Sequence, residues 1–140
     1  MLDQIFPEAT VGILIFNPRG ELLLVQTQKW HGKYALPGGH IELGESALEA
    51  ARREAREKTD PDMEDIKFLV WQECIDDESF WKPRHFIFPD FIAKANDQTV
   101  VLNDEAEAFI SLDPEKAVRE LEVDSHATFS IHEYLQRRTP

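Results

Sequence analysis

The chain reads as an α/β domain with a mixed sheet. Two observations predict it: short β-favouring apolar runs separated by turn residues, and segments of helix formers that carry their own caps. Residues 9–16 are apolar and rich in β-formers, which predicts a strand. Asn17-Pro18-Arg19-Gly20 has Pro at the second turn position and Gly at its end, and residues 21–26 return as a second strand, making a hairpin. Residues 28–34 form a polar and aromatic loop, and Pro37-Gly38-Gly39 continues no regular element. Ser46 and Glu49 form a capping box for a helix over residues 47–58, which Asp60-Pro61 stops. Strands are expected over residues 66–75 and 85–93, flanking the acidic loop Asp76-Asp77-Glu78; Pro89 calls for a bulge or an edge position in the second. Residues 100–102 and 109–112 read as short strands. Asp113-Pro114-Glu115 opens a short helix, and Ser130 with Glu133 sets the start of a last helix over 130–137. No repeat, low-complexity tract or linker interrupts residues 1–140, which are expected to form a single domain.

Twenty-seven Asp and Glu against fifteen Lys and Arg give a formal net charge of −12. That excess opposes binding of duplex nucleic acid, which needs a basic face to displace phosphate counterions. It leaves room for a small phosphorylated ligand if a metal ion screens the charge. The one cysteine, Cys74, permits no internal disulfide, as a reducing compartment favours, and its apolar setting reads as packing. No basic-then-apolar leader opens the chain, and no run approaches the roughly 20 apolar residues of a membrane span. A cytoplasmic protein with no membrane partner is expected.

The helix over residues 47–58 carries the chemistry. At about 3.6 residues per turn, Ala47, Leu48, Ala51 and Ala55 share one arc, the expected buried stripe. Glu54 falls at its edge, and Glu57 lies further round, beside Ala50 and Arg53. A carboxylate bordering a packed face is costly unless cations or donors satisfy it. Two readings are open from the helix alone. Glu54 pairs with Lys58 one turn on, or Glu54 and Glu57 converge on a divalent cation as hard oxygen ligands.

The preceding loop adds a pattern. Reading from Gly39, five residues lead to Glu45 and seven more to Arg53, followed by Glu54, Ala55, Arg56 and Glu57. This resembles the Nudix hydrolase signature, Gly-x5-Glu-x7-Arg-Glu-U-x-Glu-Glu-x-Gly-U, where U is a bulky aliphatic residue. Pro37-Gly38 and Gly44 also match common members of that family. The resemblance implies an α/β/α sandwich with a mixed sheet between helices, and Mg²⁺ or Mn²⁺ as cofactor. It implies Glu57 as a principal metal ligand and Glu54 as a ligand or as the group orienting the attacking water. Gly39 would offer its carbonyl to a metal, Arg53 would hold the carboxylates, and Glu45 would support the loop. A later glutamate commonly completes such sites. Glu105 and Glu107 lie in the right part of the chain, and either reads equally as surface charge.

This chain departs from the signature at Ala55, Lys58, Asp60 and Pro61. Lys58 matters most, because it puts a positive charge where the family has a metal-binding glutamate. Fewer metal ions, weakened catalysis, or a domain that only binds are the three consequences open.

The chemistry explains the residue types. Water attacks a diphosphate only when cations neutralise its oxygens and a group positions the water. On the substrate side, Lys29, Trp30 and Lys33, with His31 and Tyr34, could offer a phosphate contact and a stacking face. The alternative is an ordinary loop whose Trp30 and Tyr34 cover the core. Trp81-Lys82-Pro83-Arg84-His85 is a weaker phosphate candidate. Phe86, Phe88 and Phe91 read mainly as core, His40 as near the site or structural, and His126 and His132 show no metal-ligand spacing with Cys74.

The expected function is a Nudix-type hydrolase cleaving a nucleoside diphosphate linked to another moiety by metal-assisted attack of water on phosphorus. The alternative is a non-enzymatic Nudix-like nucleotide-binding domain whose metal site Lys58 impairs. Expected partners are a small-molecule nucleoside diphosphate derivative and a second copy of the chain in a homodimer.

Overall fold

The structure, a computed structural model, describes residues 4–60, 63, 65–97, 99–102 and 108–138. In chain order the elements are β1 (Glu8–Phe16), β2 (Leu22–Gln26), β3 (Tyr34–Ala35), β4 (Gly38–His40), α1 (Ala47–Lys58), β5 (Ile66–Ile75), β6 (His85–Lys94), β7 (Ala108–Leu112), α2 (Pro114–Glu120) and α3 (Ser125–Arg137). Strand order is β3-β2-β1-β6-β5, with β4 paired to β1 and β7 to β2. β1 and β6 run parallel, while the other strand pairs are antiparallel, so the sheet is mixed as expected.

The central strand is apolar on both faces because both are covered. Val11, Ile13 and Ile15 point to one side and pack with Ala50, Ala51 and Ala55 of α1. Leu14 and Phe16 point to the other and pack with Ala117 of α2 and with Ala127 and Ile131 of α3. The result is three layers, helix over sheet over helix. A third cluster joins Trp30, Ala35, Cys74, Phe86 and Phe88 at one end of the sheet. No helix among the described residues is long and apolar enough to cross a membrane.

Four local expectations are corrected. Pro37-Gly38-Gly39 does continue a regular element: β4 pairs with β1 through Thr10↔His40, Val11↔Gly39 and Gly12↔Gly38. The approach is so close that a Cβ at Gly38 would strike the Val11 carbonyl, which is why glycine forms this strand. Pro89 lies inside β6, between β1 and β5, and the irregularity falls instead in β5 between Phe68 and Val70. The β1–β6 ladder passes from Ala9↔Ile87 to Gly12↔Asp90, stepping over the residue that has no N–H to give. Residues 100–102 are not a strand; Val100 packs on the core and the Val101 N–H reaches the Lys58 carbonyl at 2.7 Å. Finally, α3 starts at Ser125, capped by Asp124, whose carboxylate accepts from the Ala127 N–H. Ser130 is therefore a mid-helix residue, and its hydroxyl is used on Asp90 instead of on a cap.

Candidate active site

The capping box at Ser46 forms as read: Ser46 Oγ accepts from Glu49 N at 3.1 Å, and Glu49 Oε1 accepts from Ser46 N at 2.9 Å. It starts α1 at a point that turns Glu54 and Lys58 inward and Glu57 outward. The buried stripe is rotated from the expected one. Ala50, Ala51, Glu54, Ala55 and Lys58 are buried, and Leu48 is exposed. Glu54 therefore stands within the packed face, not at its edge.

Two cations make that burial tolerable. Arg53 Nη1 donates to Glu54 Oε1 at 2.8 Å, and Lys58 Nζ donates to Glu54 Oε2 at 3.0 Å. Arg53 also grips Glu45 with Nε at 2.8 Å and Nη2 at 3.0 Å, and Nη2 reaches the His40 carbonyl at 3.1 Å. Arg53 hydrogen bonding and the Glu42 backbone N–H hold the Glu45 carboxyl down at about 2, while the two carboxylates raise the Arg53 pKa against the pull of partial burial. Glu57 is left outside this lattice, with its side chain 59% exposed and its Oε1 4.0 Å from Arg53. Gly39 faces the same carboxylate from the sheet, where a Cβ would collide with Glu54. The ion-pair reading of Glu54 and Lys58 is thus the geometry observed, and it brings Gly39, Arg53, Glu54 and Glu57 together.

Gly39, Glu54 and Glu57 border a cavity of about 360 Å³. Gly39, Glu54, Glu57 and Lys58 line its charged end, and Trp30, Phe80, Phe86, Phe88 and His126 its aromatic end. Lys29 and Trp30 are on its wall, within or beside a 3₁₀ turn at Gln28–Trp30. Trp30 is buried, its ring edge-on to Phe80 at 4.8 Å, so it both covers the core and lines the cavity. Lys33 lies apart, near Asp77, whose carboxyl it helps to lower against the effect of burial. Arg84 pairs with Glu8 at 3.2 Å, and Lys82 sits over the Trp81 ring, away from the cavity lining. His40 pairs with Glu8 at 3.0 Å and is exposed. Glu105 and Glu107 lie outside the described residues, and among the described residues no group of three or more His, Cys, Asp or Glu could hold a metal ion.

The sequence reading missed a buried polar network behind the aromatic end. His126 Nε2 lies 2.9 and 3.0 Å from the two Asp90 oxygens. Ser130 Oγ donates to Asp90 as well, and Gln72 Nε2 donates to Asp90 Oδ2 at 3.1 Å and to the His126 carbonyl at 3.0 Å. Burial disfavours a charged ring, but Asp90, Asp124 and Asp77 outweigh it, and the His126 pKa is raised. Burial also pushes the Asp124 carboxyl up to about 6 and, with the neighbouring aspartates, the Cys74 thiol up to about 12. Cys74 is a packing residue, not a nucleophile. Sequence offered one signal: an aspartate, Asp90, inside an apolar strand that must be buried.

Comparison with known proteins places the chain in a family and a fold. The family model described as NUDIX domain matches residues 7–134. An 8-oxo-dGDP phosphatase from Danio rerio is 45% identical over 65 residues, 45% of this chain and 20% of that protein. Nudix hydrolase 5 from Arabidopsis thaliana is 33% identical over 82 residues, 56% of this chain and 26% of that protein. The chain thus spans about a quarter or less of the length of these relatives. The crystal structure of a MutT protein from Methanosarcina mazei Go1 superposes with a TM-score of 0.77 at 22% identity, covering 99% of this chain and 100% of the other, which establishes a shared fold.

Proposed function

This chain belongs to the NUDIX domain family, and on that premise we propose that it is a hydrolase. It cleaves a nucleoside diphosphate linked to another moiety, by attack of water on phosphorus with Mg²⁺ or Mn²⁺ bound beside Glu57. The observation that carries the reading is that Arg53 holds Glu45 and Glu54 while Glu57 stands free beside them, and that Gly39, Glu54 and Glu57 line one cavity together with aromatic side chains.

The donor set suits a hard divalent cation, since carboxylates and a peptide carbonyl are all oxygen ligands. When bound, that cation would neutralise phosphate charge and acidify the attacking water. Glu57 and the Gly39 carbonyl would hold it, with Glu105 or Glu107 proposed as a further ligand. Glu54, held on one side by Arg53 and on the other by Lys58, keeps lone pairs on each oxygen for a water or for the metal. Its two bonds fix the carboxylate so that a water donating a hydrogen bond to it meets a rigid acceptor. Arg53 is spent on Glu45, Glu54 and the His40 carbonyl, so it positions groups and does not reach for substrate. Lys58 adds its ammonium group to the cavity wall, and Lys29 is the phosphate contact that the cavity lining supports in preference to Lys33. A single buried cysteine is compatible with work in the cytoplasm.

One observation favours a second reading. The buried Glu54–Lys58 pair occupies both partners at 3.0 Å, which suits a domain that binds nucleotide without turning it over. A panel of nucleoside diphosphate derivatives, assayed with Mg²⁺ and with Mn²⁺ for released phosphate or pyrophosphate, separates the two. Metal-dependent release supports the hydrolase; binding of nucleotide without release over the whole panel supports the binding domain.

A further inference from the structure

We propose that Lys58 is the resident cation of the Glu54 carboxylate and keeps it out of the metal's coordination shell, so that the protein alone holds a single divalent ion, at Glu57. The inference rests on the metal-dependent reading of the site, and it adds how many ions the site takes and which residue limits the number.

The charges around Glu54 balance without a metal. Arg53 serves Glu45 through Nε at 2.8 Å and Nη2 at 3.0 Å, and Lys58 Nζ lies 3.0 Å from Glu54 Oε2. Two cations answer two carboxylates, and Arg53 Nη1 joins the pairs by donating to Glu54 Oε1 at 2.8 Å. Glu57 shares the cavity wall with Glu54 but stands outside this balance. Its Oε1 is 4.0 Å from Arg53 Nη1, beyond hydrogen-bond reach, and its side chain is 59% exposed. A carboxylate open to water can take up a divalent ion directly, whereas a buried and neutralised one must first give up a partner.

Packing closes Glu54 as well. A Cβ on Gly39 would fall 2.2 Å from Oε1, so the β4 backbone presses on that oxygen. Oε2 is the oxygen that carries Lys58. The Lys58 and Glu54 side chains are each only 10% exposed, so the ammonium is held on the carboxylate and does not drift into solvent. Its backbone is fixed too: Lys58 is the last residue of α1, and its carbonyl accepts from the Val101 N–H at 2.7 Å. A divalent ion bound to Oε2 would stand beside this ammonium in a poorly solvated pocket, where like charges repel strongly. The direction of the side chains agrees. α1 buries Glu54 and leaves Glu57 outside, and among the described residues no group of three or more His, Cys, Asp or Glu could hold a metal ion.

Mn²⁺ binding tests this without any turnover. Calorimetry and electron paramagnetic resonance count the tightly held ions at about 0.15 M salt, which screens weak binding to the acidic surface. The proteins are the native chain, Glu57→Gln, Lys58→Met, Lys58→Arg and the double variant Lys58→Met with Glu54→Gln, each checked for folding by circular dichroism. The native protein should hold one ion, and Glu57→Gln should lose it. Lys58→Met should gain a second ion, or hold the one about tenfold more tightly as Glu54 joins its shell. Adding Glu54→Gln should erase that gain, and Lys58→Arg, which keeps the cation, should show none of it. If Lys58→Met does not fold, Lys58→Gln takes its place. Two tight ions on the native protein, a folded Lys58→Met with the native count and affinity, or a gain that survives Glu54→Gln overturns the proposal. The premise fails separately: a native protein with no saturable Mn²⁺ binding overturns the metal-dependent reading and the proposal together, whereas two tight ions leave that reading standing.

Discussion

Lys58→Met removes the ammonium and keeps most of the stem. In the folded protein Lys58 Nζ is 3.0 Å from Glu54 Oε2, and each side chain is only 10% exposed. Glu54 would keep its bond from Arg53 at 2.8 Å, so the variant loses one charge-assisted hydrogen bond and does not strand a wholly unpaired charge. That loss is about 1.5–3 kcal/mol, less than the full penalty of breaking an isolated buried pair. The apolar methionine returns part of it through burial on α1, leaving a net loss of about 1–2 kcal/mol. For a domain of this size the melting temperature should fall by roughly 3–10 °C. Calorimetry on Lys58→Met, Glu54→Gln and the double variant should return a coupling of about 1–2 kcal/mol between the two sites. Lys58→Glu goes further. It sets two carboxylates side by side, so the metal-free variant should be less stable than the native protein, and Mn²⁺ should restore it and bind more tightly than to the native chain. An unchanged melting temperature in Lys58→Met with no coupling would refute the reasoning, because the ion pair would then hold nothing in place.

Two further outcomes concern stability. Asp124 has an ordinary pKa of 3.8 when unfolded and about 6 when folded, so the folded state holds that proton more tightly, and its stabilisation is full below pH ~4 and lost as pH rises to ~6. Asp124→Asn keeps a cap acceptor and cannot ionise; urea unfolding should find it more stable than the native protein by about 2 kcal/mol at pH 7.5 and no more stable at pH 3.5. Ser46→Ala removes the hydroxyl arm of the capping box that starts α1 and leaves the arm from its own backbone N–H to Glu49; it should cost about 1 kcal/mol in the same assay while leaving α3 and the aromatic end intact.

Helix α1 was legible because its information is local. Ser46 and Glu49 are three residues apart, and Glu45, Arg53, Glu54 and Glu57 lie close enough in sequence for one loop and one helix to bring them together. The aromatic end was not legible, because it depends on register. Asp90 and His126 are 36 residues apart and meet only because β6 is laid parallel to β1 and α3 crosses beneath. The same long-range contact defeated the local signal at Ser130, whose spacing to Glu133 imitates a capping box while its hydroxyl serves Asp90. Pro37-Gly38-Gly39 misled for a related reason. Glycine is a poor strand former in isolation, yet here two backbones meet so closely that other residues are excluded. The rotation of the α1 stripe, which buries Glu54 and Lys58 and exposes Leu48, depends on Arg53 and Lys58 neutralising Glu54. A hydrophobicity pattern carries no record of that.

The most direct measurement is turnover of a nucleoside diphosphate derivative with Mg²⁺ by the native protein, Glu57→Gln and Glu45→Gln, each with its melting temperature. Glu57 stands outside the Arg53 lattice with its side chain 59% exposed, whereas Glu45 is gripped by Arg53 at 2.8 and 3.0 Å. The account predicts that Glu57→Gln lowers turnover by about a hundredfold or more with little change in melting temperature, as expected for loss of a metal ligand. Glu45→Gln should act chiefly on stability. Equal losses of turnover in the two variants, or full activity in Glu57→Gln, would contradict the assignment of Glu57 to the metal.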